Sequence, residues 1–260
     1  MGLITEHDGV IDGYEAVELP DPVVTEALTA SIFRRRSAMP SRRAVLYLHC
    51  LSDSFVPEDV ACWYTARGFN FYVADLRPPD RKDGTAGSTR RGRKRQGGKA
   101  LRASFAELDA ATAYLRDVDG VDSLIVSAHA AGAVTAALWC DERRDKKPAD
   151  ALILASPAFG RRRRRPFEIP CPVLIVSGPG GPGDPCGNGA AGHAFPWRAR
   201  GKSAGLGPHV TFLNLAENTA DDTRPTNENR RTASDRRRFF EEMGRWLGAY
   251  MYGQVRDQLL

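Results

Sequence analysis

The chain has 260 residues, 42% of them hydrophobic, 27% charged and 8% aromatic, with 25 glycines and 17 prolines and a formal net charge of +5. That is globular composition, and it excludes collagen-like, coiled-coil and disordered classes. No run reaches the roughly 18 apolar residues of a membrane span, and Met1 to Tyr14 holds acids and glycines where a secretory signal would hold a basic stretch and an apolar core.

A single cytoplasmic domain over residues 1–260 is the resulting expectation. Residues 1–43 form an N-terminal edge segment, in which the alternation of YEAVELP and SIFRRR suggests a hairpin. Ala44 to His49, Asn70 to Asp75, Ser123 to Ser127, Ala151 to Ala155, Val173 to Ser177 and Val210 to Leu215 are short continuous apolar runs, which read as strands buried on both faces. Helical stretches alternate with them at Val56 to Arg67, Leu101 to Asp117 and Val134 to Arg143. The chain closes on an amphipathic helix, Asp235 to Tyr252, whose apolar residues recur at helical spacing from Phe239 to Tyr250. Alternation of this kind predicts an α/β protein with a mostly parallel sheet covered by helices on both faces and a site outside the carboxyl ends of its strands. Two Gly-rich stretches, 78–98 and 179–207, are expected to be long loops.

The positive charge is concentrated in three runs, Arg90 to Arg95, Arg161 to Arg165 and Arg230 to Arg238, which together exceed the net charge, so the remaining sequence is mildly acidic. These runs could hold an anionic protein partner. They lack interleaved aromatics for base stacking, which argues against nucleic acid, and solvated loop charge accounts for them equally. The cysteines Cys50, Cys62, Cys140, Cys171 and Cys186 show no C-x-x-C spacing, so neither a disulfide framework nor a metal site is expected, and no cofactor motif is found.

The segment LIVSAHAAGAVTAALW, Leu124 to Trp139, is a buried strand, a sharp small-residue turn and an Ala-rich helix, the setting of a nucleophile elbow. With AVLYLHCLSDSF (Ala44 to Phe55), FNFYVADLR (Phe69 to Arg77), HVTFLNLAENTADD (His209 to Asp222) and FFEEMGRWLGAY (Phe239 to Tyr250), the chain resembles the α/β-hydrolases of the serine-aminopeptidase and monoacylglycerol-lipase-like branch. The resemblance implies the α/β-hydrolase fold. Only Ser156 to Pro172 separates two strands between which relatives usually insert a cap, so the cap is expected to be reduced or absent.

The resemblance also implies which residues should be catalytic, and these are altered. Ala130 stands where the nucleophilic serine belongs, Ala220 where the histidine belongs, and Ala191 near the position of the acid, although Asp184 lies in the same loop. Cys50 replaces the glycine of the oxyanion loop. The expected pocket is lined by His49, Cys50, Leu51, Asp53, His129, Ala130, Ala131, Asp184, His193 and Asp221. Within it the candidates for chemistry are His49, Cys50 and His193: the histidines as acid or base, the cysteine as a nucleophile if a neighbour lowered its pKa. Packing or backbone hydrogen bonding is the competing reading for His49 and for His129, and burial for Cys50.

Three functions are open at this point. The first is a non-hydrolytic enzyme that binds a small-molecule intermediate and steers a cyclisation, rearrangement or elimination by positioning. Composition rich in Ala, Gly and Arg fits a high-GC actinobacterial source, where hydrolase-like proteins are recruited to natural-product metabolism, a fold-level analogy. The second is an inactive binding or scaffold protein, and the third a hydrolase rebuilt around Cys50 and His193.

Overall fold

The computed structural model describes residues 13–19, 31–48, 58–76, 90–155, 157, 167–177, 210–214 and 237–249. Its strands are β1 (Glu15–Glu18), β2 (Ser31–Arg35), β3 (Arg43–Leu48), β4 (Asn70–Asp75), β5 (Ser123–His129), β6 (Ala151–Ala155), β7 (Val173–Ser177) and β8 (Val210–Asn214). They form one sheet in the order β1-β2-β4-β3-β5-β6-β7-β8. The β1–β2 and β2–β4 pairs are antiparallel, and every pair from β4 to β8 is parallel. The hairpin suggested by the N-terminal alternation is therefore present and forms the sheet edge.

Two-sided burial explains the apolar runs. Along β3, Ala44, Leu46 and Leu48 enter one core cluster while Val45 and Tyr47 enter the other, and β6 divides likewise between Leu152 and Leu154 on one face and Ala151 and Ile153 on the other. Helices α2 (Arg90–Asp117) and α3 (Ala130–Glu142) cover the first face through Phe105, Leu108, Leu115, Ala133 and Ala137. Helix α1 (Glu58–Thr65) and helix α4 (237–249) cover the second through Tyr64, Met243 and Leu247.

Helix α2 differs from the sequence expectation. It begins at Arg90, so the basic run Arg90–Arg95 lies on helical backbone and not in a loop spanning 78–98. Arg, Lys and Gln are intrinsically good helix formers, and the run is continuous with the packed half of the helix, so three glycines do not end it. Helix α3 likewise starts at Ala130, four residues ahead of the expected Val134, because small residues that read as a turn also suit a tightly packed first helical turn.

The hairpin is tied to the body by a buried network. Arg34 of β2 donates from Nη1 to both carboxylate oxygens of Asp119 at 2.7 Å, and its guanidinium lies 2.6 Å from Glu15 of β1. The Tyr72 hydroxyl of β4 donates to Asp119 Oδ2 at 2.7 Å. Arg34 and Asp119 are 8% and 7% exposed. At that depth each charge depends on its partner, since a buried ion left alone costs several kcal/mol.

From β3 the chain passes outward to β4 and then back across β3 to β5. This reversal makes the carboxyl ends of β3 and β5 the topological switch point of the sheet, the position where ligands bind in open α/β sheets. The register pairs Leu48 with Ala128 there.

Candidate functional site

The site is built on the junction of β5 and α3. His129, the last residue of β5, is extended at φ −122° and ψ 143°, and its side chain makes no capping bond to the helix. Ala130 then turns into the left-handed region at φ 49° and begins α3. For a residue with a Cβ that conformation costs about 1–2 kcal/mol, so the surrounding packing must hold it. Ala130 is 6% exposed, and Gly132 and Ala133 behind it are buried. The small side chains Ala128, Ala130, Gly132 and Ala133 let the strand, turn and helix approach closely enough to impose it.

Beneath the turn lie hydroxyl groups that the sequence reading did not single out. Tyr47 of β3 is paired in register with Ser127 of β5, and both are buried. Burial, with the Asp59 carboxylate adding, holds the Tyr47 phenol well above its ordinary range. Burial does the same for Tyr64, whose hydroxyl donates to Met243 Sδ at 3.3 Å. Neither phenol can serve as a base near neutral pH, and both are packed in the core on the face covered by α1 and α4. Their signal in the sequence was slight: a tyrosine inside an otherwise aliphatic strand, and an acid in the first turn of the following helix.

Of the residues expected to line the pocket, the structure places His129, Ala130 and Ala131 consecutively at the carboxyl edge. His49, Cys50, Leu51, Asp53, Asp184, Ala191, His193, Ala220 and Asp221 lie outside the described residues. The described thiols are not activated. Burial raises Cys140 strongly, and burial with the charge of Asp150 pushes Cys171 up to about 12. Exposed Cys62 donates to Glu58 Oε1 at 3.2 Å, and this hydrogen bond followed by partial burial raises it too. Among the described residues no group of three or more His, Cys, Asp or Glu could hold a metal ion, and no helix is long and apolar enough to cross a membrane.

No protein-family model and no curated protein matches the sequence. Solved structures do match. A candidate α/β hydrolase of unknown function from Agrobacterium tumefaciens is 10% identical, covers 92% of this chain and 97% of its own, and superposes with a TM-score of 0.50. This chain has the α/β-hydrolase fold. It is similar also to a lidless α/β serine hydrolase from Xanthomonas campestris, at 15% identity over 80% of this chain and 87% of that one, with a TM-score of 0.48. A candidate dienelactone hydrolase from Klebsiella pneumoniae is 15% identical over 64% of this chain and 72% of its own, with a TM-score of 0.44. The left-handed residue of the turn from β5 into α3 carries only a methyl group, at Ala130.

Proposed function

We propose that this α/β-hydrolase-fold protein has lost the Ser/His hydrolytic machinery and binds a small-molecule intermediate in the former active-site cleft. There it promotes a cyclisation, rearrangement or elimination of the kind used in natural-product metabolism. Its nearest pattern remains the serine-aminopeptidase and monoacylglycerol-lipase-like branch, with Ala130, Ala191 and Ala220 at the positions of the triad.

One observation carries this reading: Ala130 keeps the left-handed turn that presents a nucleophile, at φ 49°, without having one. Removing the serine of a triad costs about a millionfold in kcat, and losing its partners adds little more, because the three act as a unit. That is about 8 kcal/mol of barrier, too much for an ester hydrolase to forgo. Reactions that need no covalent nucleophile can draw effective molarities of about 10⁵ M or more from positioning alone.

The test combines three measurements on the full chain. Wild-type protein should leave a panel of activated esters intact, the double variant Ala130→Ser with Ala220→His should hydrolyse them, and extract passed over wild-type protein should leave a captured small molecule identifiable by mass spectrometry. Wild-type turnover abolished by thiol blocking would overturn the proposal and move the chemistry to a cysteine. Absence of both turnover and a captured small molecule would overturn it in favour of a scaffold.

A further inference from the structure

On the face of the sheet covered by α1, the hairpin carries a second polar cluster. The register that pairs Glu15 with Arg34 brings Tyr14, one residue before β1, beside Arg35. The Arg35 guanidinium carbon lies 5.8 Å from the centre of the Tyr14 ring. Glu58 and Cys62, one turn apart on the same side of α1, meet this pair. Arg35 Nη1 donates to Glu58 Oε1, and Cys62 Sγ donates to the same oxygen at 3.2 Å. One carboxylate oxygen thus serves donors from two elements.

The two sides of the cluster are held differently. Tyr14 is 8% exposed and belongs to the core under α1, and the Arg35 side chain is 28% exposed. The Glu58 side chain is 61% exposed. An ion pair with one partner so far into solvent is weak and exchanges readily with water. The hairpin side is therefore a fixed slot and Glu58 a loosely held occupant, whose own position shows that a carboxylate fits there.

One donor in the slot is left over. The Tyr14 hydroxyl is buried and, among the described residues, has no hydrogen-bond partner. Burial first, and then the Glu58 charge, push the phenol up to about 12, so near neutral pH it carries its proton and needs an acceptor. Arg35 acts on the phenol in the opposite sense, but no hydrogen bond of good geometry joins the two.

Glu58, tethered by the backbone of α1, satisfies Arg35 and Cys62 but not Tyr14. An untethered carboxylate has two oxygens to divide between Arg35 and Tyr14. A phosphate dianion suits the slot less well, because a displaced Glu58 stays nearby with its charge and Asp59 shares the same helical turn.

We propose that Tyr14 and Arg35 form a binding slot for the carboxylate of a small organic acid, which Glu58 fills in the absence of that ligand. The slot is built from the hairpin and α1 alone and is independent of the reading of Ala130. The probe is acetate, titrated into the full chain at constant ionic strength and followed by backbone amide NMR shifts, with acetamide as the uncharged control. Shifts at residues 13–16, 34–36 and 58–62 should saturate with acetate and stay flat with acetamide. Glu58→Gln removes the competing charge and should tighten binding about fivefold. Tyr14→Phe, which keeps the ring and its packing, should weaken binding about tenfold, and Arg35→Gln should abolish it. Binding that Glu58→Gln leaves unchanged or weakens, or that survives Tyr14→Phe at full strength, would overturn the proposal. Equal shifts with acetamide, or no saturable shift in either the wild-type or the Glu58→Gln protein, would overturn it too.

Discussion

Asp109 and Trp139 form the hinge between the two helices of one face: the carboxylate accepts the indole N–H at 2.8 Å, and the indole has no other access to solvent, being fully buried. The second carboxylate oxygen receives Arg143. Asp109→Ala leaves the indole N–H without its acceptor and should cost about 2–3 kcal/mol by urea denaturation. Asp109→Asn keeps one acceptor oxygen and should cost less. Equal losses in the two variants would mean that the aspartate matters for its charge and not for this bond.

The left-handed turn at Ala130 makes a prediction of opposite sign. Ala130→Gly removes the Cβ penalty and, after the entropic cost of glycine in the unfolded chain, should leave stability unchanged or raise it by up to about 1 kcal/mol. Ala130→Val places a branched side chain in the same conformation at a buried site and should cost about 2 kcal/mol or more. Thermal melting of the two variants distinguishes a strained turn from a merely small one.

Separating the N-terminal hairpin from the sheet should be expensive. Asp119→Ala leaves the buried Arg34 guanidinium with only the exposed Glu15 as partner and should cost about 2–3 kcal/mol, whereas Tyr72→Phe, which removes one neutral donor, should cost about 1 kcal/mol. The exposed partner Glu15 adds a pH dependence. Its carboxyl is held below the ordinary range, first by the hydrogen bond from Arg34 and then by the charge of that group. A lowered folded pKa means that the contribution is complete above the unfolded value and disappears as pH falls through the folded one. Glu15→Gln should therefore lower stability in the neutral region, flatten the acid limb and leave the profile unchanged below the folded pKa.

Thiol labelling should discriminate sharply between environments. Cys140 and Cys171 should resist alkylation until the protein unfolds, and Cys62 should label slowly at neutral pH and faster in mild alkali. Rapid labelling of the native protein at neutral pH, mapped to Cys50 by peptide mass, would supply the activated thiol that a rebuilt hydrolase needs.

How much of this was legible beforehand depended on which physical signal each segment carries. Strands such as Leu124 to Val126 are buried on both faces and announce themselves as continuous apolar runs, so the parallel sheet could be read directly. The hairpin of β1 and β2 showed through alternation, although Val17 and Ile32 pack on one face of the sheet and Phe33 on the other. The elbow was found through its small residues. The first half of α2 was missed because helical reading relies on an apolar stripe, and Arg90 to Lys99 has none; only intrinsic propensity marks it as helix. Tyr47 and Asp59 escaped notice because they neighbour the turn through sheet register and helix packing, which local sequence does not encode. Of the residues expected to line a pocket, His129, Ala130 and Ala131 stand at the junction of β5 and α3, where the change from an apolar run to small residues had marked a turn.

The bonds at Asp109 have a mechanical reading. A helix whose register is pinned at one point turns as a unit about it, so the pinning contact decides which side of the helix its neighbours receive. Slippage of α2 by a single residue past Trp139 would advance the helix by only about 1.5 Å but rotate it by about 100°, turning the stripe of Phe105, Leu108 and Leu115 out of the core. One surface carboxylate thereby indexes a whole layer against the sheet, much as a key fixes a wheel on its shaft, and position 109 is where that indexing would be lost.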